Sequence, residues 1–132
     1  MLFETNKDKG RAGMAMGIAW FGSNGYTVNI PLSDTQWYDF VAEKDGHFYT
    51  VQCKATGSED GTIDLRSTGG TDGGVYDLVL DHPLDYLFCL DKDKNMYVIP
   101  ANEITSTRSI KLRKEPNANH QGFETYKYLV EF

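Results

Sequence analysis

Cysteine is scarce: there are two in 132 residues, Cys53 and Cys89, each inside an apolar, strand-like stretch. With no CxxC spacing and no histidine beside them, they fit neither a disulfide framework nor a zinc site. They read as buried free thiols of a cytoplasmic protein. Long hydrophobic runs are missing as well. No apolar stretch approaches the roughly 20 residues of a membrane span, and the opening MLFETNKDKGR lacks the basic-then-apolar plan of a signal peptide. The three histidines, His47, His82 and His120, stand apart. The glycines of Ser67–Gly74 are not followed by Gly-Lys-Ser/Thr, so they are not a phosphate loop. Asp91-Lys-Asp93-Lys-Asn95 starts like a calcium loop, but Met96 and Asn102 occupy the positions that need glycine and glutamate. A hairpin turn is the reading that remains. Ser23, Ser33 and Ser58 have no base near them in sequence that would mark a nucleophile.

Positive charge is in the minority, with 13 Lys and Arg against 19 Asp and Glu and a net charge of −6. That excludes a uniformly basic nucleic-acid surface, because phosphate contacts need Lys and Arg. The cations are concentrated, however. Lys7, Lys9 and Arg11 crowd the start, and Arg108, Lys111, Arg113 and Lys114 share a strip free of acids. Such local strips can hold a phosphate backbone despite an acidic total.

What is present is enough for an ordered core. A hydrophobic fraction of 40% with 13% aromatics argues against disorder, and the length suits one domain over residues 1–132. Lys7 to Gly22 has a helical pattern in which Met14, Ile18, Ala19 and Phe21 share a face. Gly13 and Gly17 lie among them, at a helix cost of about 1 kcal/mol each against Ala, and imply close approach to a sheet. Ser23-Asn24-Gly25 stops the helix. Strands are expected at Tyr26–Ile30, in a hairpin over Trp37–Lys54, and at Thr62–Ser67, Asp85–Leu90, Met96–Pro100, Ser109–Arg113 and Tyr126–Phe132. Val75–Leu80 reads equally as strand or helical turn, and Ala101–Ile104 as a short helical turn. The class is α/β in the broad sense (α+β, mixed sheet): one leading helix on a central mixed sheet.

The hairpin carries the chemistry. From Phe48 onward, alternation sends Thr50, Gln52 and Lys54 to one face and Tyr49, Val51 and Cys53 to the other. A turn at Lys44-Asp45-Gly46 brings Asp39 beside Gln52 and Lys54. Asp39, the amide oxygen of Gln52 and the main-chain carbonyl of Cys53 are oxygen donors suited to a hard cation such as Mg²⁺ or Mn²⁺. Lys54 supplies a mobile positive charge beside them. Asp34, next to Ser33, reads as a turn cap.

The segment Lys9–Lys54 resembles the PD-(D/E)XK nuclease superfamily, and most closely its group I intron-associated homing endonuclease branch. The resemblance is carried by Lys9-Gly10-x-x-Gly13, Gly25-Tyr26-x-Val28-x-x-Pro31-Leu32, Tyr38-Asp39 and Val51-Gln52-x-Lys54, and further along by DYLF, YVIPANEI and IKLR. It implies a restriction-endonuclease-like core, with Asp39 as metal ligand, Gln52 in place of the usual acid and Lys54 as catalytic lysine. It also implies Mg²⁺-dependent hydrolysis of double-stranded or branched DNA by a homo-oligomer, a dimer or a tetramer. Lys7, Lys9, Arg11, Arg66, Arg108, Lys111 and Arg113 are the cations placed to hold the DNA backbone. One departure stands out: Met14 occupies about the place where many of these nucleases carry a metal-binding glutamate, and a thioether does not hold Mg²⁺. Two alternatives therefore stand beside the homing-endonuclease-like reading. One is a catalytically impaired module that binds DNA or protein, and the other is a Holliday-junction resolvase.

Overall fold

The computed structural model describes residues 4–33, 35–68, 75–77, 81–118 and 122–132. Asp34, most of the Ser67–Gly74 glycine loop, the end of Val75–Leu80 and the pair Asn119–His120 lie outside the described residues. The chain runs α1 (Asn6–Ser23), β1 (Thr27–Asn29), β2 (Phe40–Lys44), β3 (His47–Ala55), β4 (Thr62–Asp64), β5 (Arg66–Thr68), β6 (Val75–Asp77), β7 (Tyr86–Leu90), β8 (Met96–Pro100), β9 (Ser109–Lys111) and β10 (Leu129–Val130). Short 3₁₀ turns occupy Ala101–Glu103 and Tyr126–Tyr128.

Six strands form the central sheet in the order β1-β2-β3-β7-β8-β10. All neighbours are antiparallel except β3 and β7, which run parallel. The sheet is thus mixed, and β7 sits inside it with both faces covered. That explains its unbroken apolar run, because a doubly covered strand has no wet side on which to place polar residues. On one face Phe88 and Leu90 meet α1 together with Phe21, Phe40, Ala42 and Val51. On the other, Leu87 and Cys89 join Tyr97, Ile99, Ile63, Leu65, Ile110 and Leu112. The β4–β9 ribbon supplies the last four apolar residues and covers the face opposite the helix.

The helix starts at Thr5, whose Oγ1 accepts the Asp8 N–H at 3.1 Å, a standard N-cap. It ends at Asn24, and Gly25 takes the left-handed conformation at φ 88°. Its buried face is Ala12, Gly13, Gly17 and Phe21, with Met14 and Ile18 packed partly behind them. Ala19, expected on this face, is exposed. Small residues dictate the contact: a Cβ added at Gly17 would lie 2.7 Å from Cys53 Sγ and 3.3 Å from Phe88 Cδ1. The helix therefore rests directly on β3 and β7, antiparallel to β3, with Gly13 against Ala55 and Gly17 against Cys53.

The β2–β3 hairpin closes on Asp45 and Gly46, both with positive φ (54° and 81°), the two-residue turn whose twist suits a hairpin. Several expected strands are shorter or divided. Thr62–Ser67 is not one strand: it breaks at Leu65, with β4 pairing β9 and β5 pairing β6. Ser109–Arg113 keeps only Ser109–Lys111 as strand. Tyr126–Phe132 opens as a 3₁₀ turn and holds only two strand residues, Leu129 and Val130. The first strand of the hairpin begins at Phe40 rather than Trp37. No helix among the described residues is long and apolar enough to cross a membrane.

Candidate active site

Asp39 immediately precedes β2, and two hydrogen bonds tie it to β3. Its N–H donates to the Val51 carbonyl at 2.8 Å, prolonging the ladder by one residue. Its Oδ2 accepts the Cys53 N–H at 2.6 Å. Since Phe40 pairs with Val51, Asp39 stands opposite Gln52. Gln52 and Lys54 pair with Leu87 and Cys89, so both face away from α1. Asp39, Gln52 and Lys54 thus come together on one sheet face at the end where β2 begins.

The backbone adds a donor. Along a strand, consecutive peptide groups point to alternate neighbours. The Val51 carbonyl and the Cys53 N–H both point to the β2 side, where Asp39 receives them. The Cys53 carbonyl points the same way, past the first residue of β2. The Asp39 carboxylate, the Gln52 amide oxygen and the Cys53 carbonyl are hard oxygen donors at neighbouring register positions.

The electrostatics of this corner follow from its burial. Loss of water pushes the Asp39 carboxyl above the usual carboxylate range, against the Cys53 N–H and the Lys54 ammonium, which pull it down. Burial lowers the Lys54 ammonium, and the carboxylates of Asp64 and Asp39 oppose that. Lys54 Nζ also donates to the Arg66 carbonyl at 3.4 Å. Burial pushes the Cys53 thiol well up, and its sulfur lies on the helix side against Gly17. A desolvated carboxylate with one backbone donor is the kind of group that a bound cation relieves. A divalent ion would find hard oxygen donors here in Asp39, Gln52 and the Cys53 carbonyl. Among the described residues no three His, Cys, Asp or Glu side chains gather as a metal cluster.

Met14 is half-buried and packs into the apolar layer on the helix side of the sheet. It offers nothing to the opposite face. Asp64 is the neighbour that sequence reasoning did not pick. Its carboxylate is held below the ordinary range by a fork with the Arg66 guanidinium at 3.2 Å (Nε) and 3.2 Å (Nη2). Its charge acts on Lys54 from the β4 side. Alternation along Thr62–Ser67 does turn Asp64 outward, but only the fold of β4 over the sheet places it near β3.

The expected DNA-facing cations divide in two. Arg66 is paired with Asp64, and Lys111 lies 3.8 Å from Asp60. Lys7, Lys9, Arg11, Arg108 and Arg113 make no ion pair among the described residues. Because α1 runs antiparallel to β3 and Gly13 already reaches Ala55, Lys7, Lys9 and Arg11 lie beyond the C-terminal end of β3, the end that carries Lys54. Trp37 packs into the core on the site's face, with its indole stacked on His82 at 4.9 Å.

Comparison with known proteins bears on the family and the fold. A family model described as PD-(D/E)XK endonuclease matches residues 4–128. Among solved structures, the bacterial homing endonuclease I-Ssp6803I is similar in fold, with a TM-score of 0.63 and 20% sequence identity. The match covers 95% of this chain and 87% of that one. No curated protein matches the chain. With nearly its whole length matched by the family model, the chain belongs to the PD-(D/E)XK endonuclease family.

Proposed function

We propose that the protein is a divalent-metal-dependent DNA endonuclease of the homing-endonuclease-like kind, cutting phosphodiester bonds at Asp39, Gln52 and Lys54. The observation that carries this is the meeting of these three side chains on one sheet face, with the Cys53 carbonyl turned toward the same space. Asp39, Gln52 and that carbonyl would hold Mg²⁺, or Mn²⁺ in its place. A bound ion of this type polarises the phosphate and lowers the pKa of its coordinated water. The protein's own part is positional. The Cys53 N–H fixes the Asp39 carboxylate, and β3 sets Gln52 and Lys54 two residues apart on one side. Lys54, held at the Arg66 carbonyl, orients a water toward phosphorus and offsets the charge that builds on the non-bridging oxygens. The water oxygen bonds to phosphorus and releases a proton to solvent, while the bond from phosphorus to the leaving oxygen breaks and that oxygen takes up a proton from solvent. Lys7, Lys9 and Arg11, with Arg108 and Arg113, supply backbone contacts. A chain this small presents one site, so cutting both strands calls for a symmetric dimer or tetramer.

A second reading follows from Met14, which puts no carboxylate at the site from the helix. In that reading the same fold binds DNA or a protein partner without turnover. Incubation with supercoiled plasmid and Mg²⁺ or Mn²⁺ separates the two. The nuclease reading expects nicked and linear products from the natural protein. DNA retention with no cut by either the natural protein or Met14→Glu selects the binding module. Cleavage of a four-way junction in preference to duplex selects a resolvase.

A further inference from the structure

The change of ladder at Leu65, from β9 to β6, takes place within reach of Lys54. Asp64 is the last residue of β4 and pairs with Ser109, whereas Arg66 is the first residue of β5 and pairs with Asp77. Leu65 between them is fully buried and donates its N–H to the Arg108 carbonyl at 2.8 Å. The Arg66 N–H does not continue that line. It turns back to Asp64 Oδ1 at 2.8 Å, the side-chain-to-backbone bond of an Asx turn. The same carboxylate forks onto the guanidinium, so Asp64 grips Arg66 by both its backbone and its side chain. Across the ladder the Asp77 N–H is likewise taken by a carboxylate, that of Asp81, at 2.6 Å.

The carbonyl of this gripped residue is the one that meets the site, where it accepts Lys54 Nζ at 3.4 Å. A lysine stem is flexible, and its ammonium is a point charge with no planar fork to fix its direction. The ammonium has three N–H donors. With one spent on a carbonyl that cannot swing, the other two take set directions, toward a water and a phosphate oxygen. A carbonyl on a loose segment would give Lys54 no such direction. The order of Lys54 therefore depends on how firmly the Arg66 peptide is held, and Asp64 supplies that hold.

We propose that Asp64 is a positioning residue for Lys54: its carboxylate closes the turn at Leu65 and so fixes the Arg66 carbonyl that holds the Lys54 ammonium. This inference rests on the nuclease reading for its purpose, though not for its geometry. Asp64 touches neither water nor phosphate in this role and acts only through the Arg66 peptide. Other roles for a carboxylate at this place make a different demand. A direct charge partner for Lys54, or a ligand to a cation, needs an ionised oxygen. An Asx turn needs only an oxygen acceptor two residues before the N–H. Asparagine supplies that acceptor and alanine does not, so substitution separates the roles.

Asp64→Asn and Asp64→Ala are compared with the natural protein by two measurements. Asp64 is exposed, so both variants keep the core. The first measurement, ¹³C relaxation at Lys54 Cε, needs no turnover. Asp64→Ala is expected to lower the order parameter there, and Asp64→Asn to leave it as in the natural protein. The second is plasmid nicking in Mg²⁺ with enzyme in excess. Asp64→Ala is expected to slow the saturated rate by about ten- to a hundredfold, the scale of a misplaced group. The enzyme concentration for half-saturation should not rise, because the change removes a negative charge from the neighbourhood of the DNA. Asp64→Asn is expected to recover the rate to within about threefold of the natural one. Asp64→Asn as slow as Asp64→Ala would overturn the proposal in favour of an ionised role, and a Lys54 equally ordered in all three proteins would overturn it outright. A Lys54 loosened by Asp64→Ala in a protein that never nicks DNA leaves the positioning standing and removes the nuclease reading; nicking by all three proteins at one rate does the reverse.

Discussion

At the scale of single residues, the proposed metal ligand Asp39 carries a cost to stability. Its carboxyl is raised above the ordinary range because burial disfavours the charge more than Cys53 and Lys54 favour it. The sign follows from proton counting. Between the unfolded and folded pKa the native state holds more protons, so stability falls as pH rises through that interval and stays reduced above it. Asp39→Asn keeps an acceptor for the Cys53 N–H and removes the buried charge. It is expected to melt higher than the natural protein at pH 7, with the gap closing at pH below the carboxylate range, while losing cleavage. Thermal melts of both proteins across pH 3–8 provide the check (interval chosen around the usual Asp value of about 3.9). A variant that melts lower at pH 7 would mean that the ionised carboxylate stabilises the fold. Asp64 behaves in the opposite way: its fork with Arg66 holds its carboxyl low, and it can accompany Lys54 without a comparable burial cost.

At the scale of elements, the contact of α1 with the sheet depends on which glycine is changed. Gly17→Ala drives a methyl to 2.7 Å from Cys53 Sγ with Phe88 behind it. It is expected to cost about 1–3 kcal/mol, the usual penalty for overpacking a core. Cys53→Ala in the same chain should recover part of that loss, because it removes the nearest atom. Gly10→Ala, with nothing within 4 Å, should instead stabilise by up to about 1 kcal/mol through helix propensity. Denaturant melts of the three variants check the set, and equal effects at Gly10 and Gly17 would contradict the packing described.

These elements also show what sequence could and could not reveal. The hairpin was legible because Asp45-Gly46 is a strong turn signal and Phe48–Lys54 alternates without a break. That was enough to put Gln52 and Lys54 on one face with Asp39 opposite. The doubly covered β7 was legible from its apolar run. The split of Thr62–Ser67 was not, since alternation continues through Leu65 while the partners change from β9 to β6. Nor was the closeness of Asp64 to Lys54, which depends on how the β4–β9 ribbon lies over the sheet. Trp37 packs against the core layer, its indole stacked on His82.

For the whole molecule, an acidic chain of net charge −6 can bind DNA only through a local patch, and that patch has a measurable signature. Each phosphate neutralised adds about 0.9 to the slope of log affinity against log salt on duplex DNA. Lys7→Gln with Arg11→Gln is expected to lower that slope by about 1.8, as read by fluorescence anisotropy across a salt series. Lys111→Gln should lower it less, because Lys111 already has Asp60 as a partner. A slope unchanged by the helix pair would move the DNA path away from the end of β3. The start of α1, with its cations, lies beyond the same end of β3 that carries Lys54.

The most direct test of the central claim is the rate of plasmid nicking in Mg²⁺ by the natural protein and by Lys54→Ala, measured with enzyme in excess. The expected result is Mg²⁺-dependent nicking that a chelator stops and that Lys54→Ala slows by at least about a hundredfold, the scale of losing one group that stabilises developing charge. Nicking by Lys54→Ala at the natural rate, with folding and DNA binding intact, would contradict it.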